Sequence, residues 1–267
     1  NQGFAGFLTS GEDADAAGRL FFFLSKTPVK REVNPVLTER DGEIIRLINR
    51  FGCLTAEQVK QLMGMGQRVT YRRLQKMVEG RYLKYRRPLS GAGIYIAAVR
   101  GLEAVDAELG RFQVHLATLE HNLAVADVAA ALLKRYPGAK WVTERELRRE
   151  AGQKFGVGWQ GHVPDGVLVL PDGTKVAVEY ENTTKSRAAF NKVMRHYLRT
   201  NYDQVWFVCR TKRQAARLKE LAQVYDFARI FVFQGGTLYE PERVEDSGPG
   251  ADRGVPLSRG GGRDYCV

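Results

Sequence analysis

Three carboxylates stand close together in the middle of the chain. Asp165 follows Pro164, and Glu179 and Glu181 flank Tyr180 a short distance downstream. Acids gathered in one place repel one another unless a cation sits among them. A hard divalent ion such as Mg2+ is the usual partner, held by one or two carboxylates, water and a phosphate oxygen. Such an ion activates water and stabilises the leaving oxygen when a phosphodiester is cut. Asp165 and Glu179 are therefore the candidate metal ligands, with Glu181 beside them. A plainer alternative is open: Pro171-Asp172-Gly173 is a common turn, and Glu179 and Glu181 pair with Lys or Arg on a solvated strand.

The acids meet only if their segment folds into a hairpin. Val167 to Leu170 is strand-like, Pro171-Asp172-Gly173 is a turn, and Lys175 to Glu181 is a second strand. Alternation puts Ala177, Glu179 and Glu181 on one face and Val176, Val178 and Tyr180 on the other, which is apolar and expected to be buried. Glu179 and Glu181 then lie about 7 Å apart, and the turn brings Asp165 alongside Glu179.

The surrounding pattern predicts a sheet flanked by helices. Leu119 to Tyr136 reads as a strong helix, with the polar trio Glu120, His121 and Asn122 at its start. Trp141 to Leu147 reads as a strand bearing Glu144 and Glu146. A glycine-rich loop with Phe155 and Trp159 leads to the hairpin. Beyond it come a basic helix from Thr183 or Thr184 to about Thr200, a strand at Val205 to Cys209, a helix at Thr211 to Tyr225 and a strand at Arg229 to Phe233. Short apolar runs separated by helices imply an α/β fold with a mixed sheet covered on both faces, over residues 113–240.

A second constellation lies upstream. Ile44, Ile45, Leu47, Ile48 and Phe51 form a helical stripe ended by Gly52. Thr55 with Gln58 is a capping box opening a second helix. A third runs from about Gln67 to Glu79 and stops at Gly80. Tyr82 to Arg87 and Ile94 to Ile96 then make a hairpin, and Gly101 to Leu116 reads as a connecting helix. Three helices followed by a hairpin is a winged helix-turn-helix arrangement, here over residues 37–112. From Arg68 to Arg87 there are eight Lys or Arg and one acid, Glu79, a net of +7. Arg68, Arg72 and Lys76 recur every fourth residue on one helical face. With Arg73, Lys84, Arg86 and Arg87 they form a candidate surface for double-stranded DNA, since such folds set a helix in the major groove and neighbouring cations on phosphates.

Composition agrees with a polyanionic partner. The 267 residues carry a formal charge of +11, with pI ≈ 9.7. The apolar run Leu20 to Leu24 is too short to span a bilayer, and no signal peptide is expected, so neither is a membrane. Cys53, Cys209 and Cys266 form no CxxC, which fits a reducing cytoplasm. The four histidines show no ligand-like spacing. Residues 1–36 are expected to be an irregular aromatic arm, and residues 241–267 a flexible tail.

Pro164-Asp165 followed by Glu179-Tyr180-Glu181 resembles the PD-(D/E)xK nuclease superfamily. The resemblance implies that Asp165 and Glu179 bind a divalent metal, and that the first helix of such a fold can lend it a further acid, here Glu120. The superfamily's Lys position holds Glu181, a change that some restriction endonucleases share, and Lys185 is a displaced substitute. The implied catalytic set is Asp165, Glu179, Glu181 and Lys185. The winged helix followed by Leu119-Glu120-His121-Asn122, Pro164-Asp165-Gly166, Val178 to Glu181 and Lys185-Ser186 is similar to the replication-relaxation family of plasmids and integrative elements in Gram-positive bacteria. That similarity covers roughly Leu37 to Phe233. It implies a DNA-binding role in replication, relaxation or transfer, with replication or transfer proteins as further partners. The second domain is then either a Mg2+-dependent endonuclease or a non-catalytic accessory or regulator.

Overall fold

The structure is a computed structural model and describes residues 36–88, 91–156, 158–183 and 185–240. All of them belong to one compact unit, Pro35–Val267. The expected arm, save Val36, and the expected tail lie outside the described residues.

The first elements are three helices and a small sheet: α1 (Glu39–Phe51), β1 (Leu54–Thr55), α2 (Ala56–Leu62), α3 (Gln67–Glu79), β2 (Leu83–Arg86) and β3 (Ile94–Ala97). Capping boxes at Thr38/Asp41 and Thr55/Gln58 start α1 and α2 by satisfying orphan backbone donors. Gly52 ends α1 at φ 86, and a Cβ there would sit 2.6 Å from the Phe112 ring. Both the backbone and the packing therefore require glycine at this position. The strands pair antiparallel in the order β1-β3-β2. Ile44, Ile45, Ile48, Val59, Leu74 and Leu83 share one core, which Ala126 joins from a later helix.

The connecting helix is shorter than expected. It spans only α4 (Val99–Ala104), and the chain then runs without helix to α5 (Leu116–Arg135). Asp106, at φ 47, marks the turn out of it. By length and composition α5 could cross a membrane. Here its Val125, Val128, Ala129 and Leu132 instead pack on the large sheet.

That sheet follows with β4 (Lys140–Thr143), α6 (Glu144–Phe155), β5 (Gly166–Val169), β6 (Lys175–Glu181), α7 (Arg187–Tyr197), β7 (Gln204–Cys209), α8 (Lys212–Ala222), β8 (Ala228–Gln234) and β9 (Thr237–Tyr239). The strand order is β4-β5-β6-β7-β8-β9. β6, β7 and β8 are mutually parallel and the outer pairings antiparallel. Val176, Val178, Trp206, Val208 and Phe231 face α5. Ala177, Val205, Phe207 and Val232 face α7 and α8, where Phe190, Met194, Leu218 and Leu221 meet them. Burial on both faces explains why these strands read as continuous apolar runs. The expected mixed α/β architecture is the one found.

Several boundaries differ from the expectation. Glu144 and Glu146 are on a helix, because Thr143 and Glu146 form a capping box that ends β4 and starts α6. Gly152 belongs to that helix, which shortens the glycine-rich loop. Ser186, not Thr183, caps α7 through a hydrogen bond accepted from the Ala189 N–H, and Thr184 lies outside the described residues. β9 has no counterpart in the sequence reading. Gly235 and Gly236, both at positive φ, make the tight turn that folds it back on β8.

Candidate functional site

The β5–β6 hairpin forms as its sequence requires. Gly166 pairs with Val178, so Asp165 and Glu179 stand opposite each other one step beyond the ladder. The Asp165 carboxylate ends the ladder itself: its Oδ2 accepts the Tyr180 N–H at 2.7 Å. The next residue must be glycine, because the Trp141 ring occupies the space a Cβ at Gly166 would need.

The face carrying Glu179 and Glu181 is not solvated. Glu179 is 5% and Glu181 3% exposed. Ionised carboxylates at this depth need partners, and each has them. Glu179 Oε1 lies 2.8 Å from His162 Nε2 and accepts the Tyr197 hydroxyl. Glu181 pairs with Lys185 Nζ, so the displaced lysine does reach the third acid. Burial pushes the Glu181 carboxyl up, against the pull of Lys185. Burial and the neighbouring Glu179 push the Tyr197 phenol well above its ordinary range. A phenol so held is a hydrogen-bond donor, not a nucleophile. The buried thiols are equally unreactive, with Cys53 pushed up to about 11 and Cys209 to about 12 by desolvation.

Asp165 is bound on its other side by His121, whose Nε2 is 3.0 Å from Oδ1. That hydrogen bond raises the His121 pKa above its ordinary value, with burial opposing. The raised value means the contact stabilises the fold fully below the ordinary histidine pKa and is lost as pH rises through the folded-state value. An NMR titration of His121 should therefore show a raised midpoint that falls back in Asp165→Asn. An unchanged midpoint in that variant would remove Asp165 as the cause.

The sequence reading missed His121, His162 and Tyr197. Their contacts to the acids span 44, 17 and 18 residues and follow from the packing of α5, the loop before β5, and α7. Glu120, the acid expected from α5, points elsewhere: it is exposed and pairs with Arg210 at 3.0 Å. Its neighbour His121 takes the place facing the cluster. Two carboxylates at facing strand positions suit a hard cation in kind. Among the described residues no group of three or more His, Cys, Asp or Glu is arranged to hold a metal.

The basic constellation divides. Arg68, Arg72 and Lys76 are exposed on the outer face of α3, opposite buried Thr70, Leu74 and Met77. Lys84, Arg86 and Arg87 are exposed on and just after β2. Among the described residues, no acid forms an ion pair with any of these six. Arg73 is different. It turns inward, and its Nη1 donates to Asp41 Oδ1 at 2.8 Å and to Thr38 Oγ1 at 3.1 Å. It ties α3 to the start of α1 and is not part of the outer row.

Polar side chains join α1 and α2 to α5 and α6. Gln58 Nε2 on α2 donates to Leu123 O and Asp127 Oδ1 on α5, both at 2.8 Å. Arg50 pairs with Glu146 at 2.7 Å, and Arg145 donates to Asn49 Oδ1 and Gly110 O. The Arg145 guanidinium also stacks over the Phe112 ring.

No curated protein gives a match to the chain. The sequence model of the replication-relaxation family matches residues 45–207, from α1 through most of β7. The match takes in α3, the β2–β3 hairpin, His121, Asp165, Glu179, Glu181 and Lys185, and covers more than half of the 267 residues. The chain therefore belongs to the replication-relaxation family, which gives it a role in the replication or relaxation of plasmids or mobile elements.

Proposed function

We propose that this is a duplex-DNA-binding protein of plasmid or mobile-element replication or relaxation. In this reading α1–α3 with β2–β3 are a winged helix, and the large sheet is a nuclease-like core. The observation that carries the reading is the exposed row Arg68, Arg72 and Lys76 on α3 together with exposed Lys84, Arg86 and Arg87 on the hairpin, none of them ion-paired with an acid among the described residues. α3 would lie in the major groove and the hairpin cations on phosphates. Fluorescence anisotropy with a mixed-sequence duplex tests this. Binding should fall steeply as salt rises, because phosphate contacts release counterions. A flat salt response would point to a protein partner instead.

For the acid cluster, the nuclease-like reading has Asp165 and Glu179 hold Mg2+. Such an ion would supply Lewis-acid activation of water and charge stabilisation at a scissile phosphate. Lys185, paired with Glu181, would be the residue to orient that water. His121 and His162 fix the two ligating carboxylates from either side, as outer partners do in metal sites. One observation favours a non-catalytic core: each acid already has an internal donor, His121 and the Tyr180 N–H on Asp165, His162 and Tyr197 on Glu179, and Lys185 on Glu181. Supercoiled plasmid incubated with protein and Mg2+ or Mn2+ separates the two. The nuclease reading expects nicking that Asp165→Ala abolishes. Intact plasmid, or equal nicking by both proteins, leaves the non-catalytic core.

A further inference from the structure

Two of the large side chains left exposed on this protein are tyrosines on the elements that carry its basic residues, α3 and β2. Tyr71 is 48% and Tyr85 49% exposed. Tyr71 stands next to Arg72 and one turn from Arg68 on α3, and Tyr85 on β2 shares the strand face of Tyr95, opposite to that of Lys84 and Arg86. They are close in space as well as in kind. The Tyr85 and Tyr95 ring centroids are 5.2 Å apart, and Tyr85 and Tyr71 both lie near enough to Tyr95 to act on its phenol. Tyr85 is laid against the backbone of Gly93, where any Cβ would collide with its ring. Its position on the hairpin is therefore built in, while half of its surface stays open.

An exposed aromatic ring gains little from intact duplex DNA. The base faces there are covered by neighbouring pairs, and only edges, sugars and phosphates are offered. Rings set among cations suit a strand whose bases are free, since each base then offers a π-face for stacking and each phosphate a partner for Lys or Arg. Arg68 and Arg72 on α3 supply such charges on the Tyr71 side of the pair.

We propose that Tyr71 and Tyr85 form an aromatic clamp that stacks on an unpaired nucleobase, so that this face binds duplex DNA interrupted by a single-stranded gap in preference to continuous duplex. The inference rests on the DNA-binding reading above and adds the structural class of DNA that the face selects.

The test compares full-length protein on a mixed-sequence duplex and on the same duplex lacking a few nucleotides of one strand. The unpaired bases opposite the gap carry 2-aminopurine. Wild type should bind the gapped DNA about tenfold or more tightly, the scale of one or two stacked bases, and should quench the 2-aminopurine fluorescence. Tyr71→Ala with Tyr85→Ala should remove both the preference and the quenching while leaving continuous-duplex affinity nearly unchanged. Tyr71→Phe with Tyr85→Phe should keep both, because the ring and not the hydroxyl makes the stack. Far-UV circular dichroism checks that these surface variants remain folded. Equal affinity of wild type for the two DNAs, or a preference that survives the alanine pair, overturns the clamp. If no DNA is bound, or if Arg72→Ala with Lys76→Ala leaves binding to both DNAs unchanged, the DNA-binding reading fails and the clamp with it.

Discussion

Replacing Arg72 and Lys76 together by alanine is expected to weaken duplex binding by at least about tenfold at low salt and to flatten its salt dependence. Each lost phosphate contact lowers the log–log salt slope by about one, so the double variant should lose about two. Both side chains stand on the exposed face of α3 with no acid paired to them among the described residues. Folding should therefore be undisturbed, since surface changes of this kind fall within about 0.5 kcal/mol. Arg73→Ala provides the contrast. Its guanidinium is engaged with Asp41 and Thr38, so its removal should lower stability and leave the salt slope nearly intact. Anisotropy titrations across a salt series, with urea unfolding alongside, separate the two outcomes. A double variant with the wild-type slope would mean that α3 does not face the phosphates.

Gly166→Ala should destabilise the fold by about 1–3 kcal/mol, the range for overfilling a packed core. The added methyl would fall within the ring of buried Trp141. Neither residue yields easily, because both belong to the β4–β5 ladder, which pairs Trp141 with Leu168 and Gly166 with Thr143. Asp165 is the adjacent residue, so the strain reaches the acid cluster as well. Trp141→Leu makes room, and the two substitutions together should therefore cost less than the sum of their separate effects. Urea midpoints of the four proteins measure that coupling. Strict additivity would show that the ring can move aside.

Much of this was legible in short-range signals. The Thr55/Gln58 box, the apolar stripe of α1 and the Pro171-Asp172-Gly173 turn each specify their element with residues a few positions apart, and each appears as expected. The errors fall where two local signals compete. Trp141-Val142-Thr143 is a strand-forming run that continues smoothly into Glu144, and it masks the Thr143/Glu146 box that turns the chain into α6. The facing of Asp165 and Glu179 follows from hairpin register and so could be read. The donors that hold those acids could not, because no spacing rule connects His121 to Asp165 or Tyr197 to Glu179. Burial of the Glu179 face was also hidden: an alternating acid pattern looks solvated until α7 is seen to cover it. Arg73 shows the same limit at the level of one side chain. Its charge is plain in the sequence, and its inward partner Asp41 is 32 residues away.

The amide of Gln58 bears on how the protein can be taken apart. One side chain of α2 satisfies two acceptors on α5, Ala126 of α5 completes the core beneath α1 and α3, and Arg145 covers Phe112 and holds Asn49. A fragment cut after residue 112 would keep the helices and the hairpin but lose their lid. It would bare apolar surface and leave the buried Gln58 amide without its two acceptors. Work on the first three helices and their hairpin in isolation would therefore do better to carry α5 and α6 along with them.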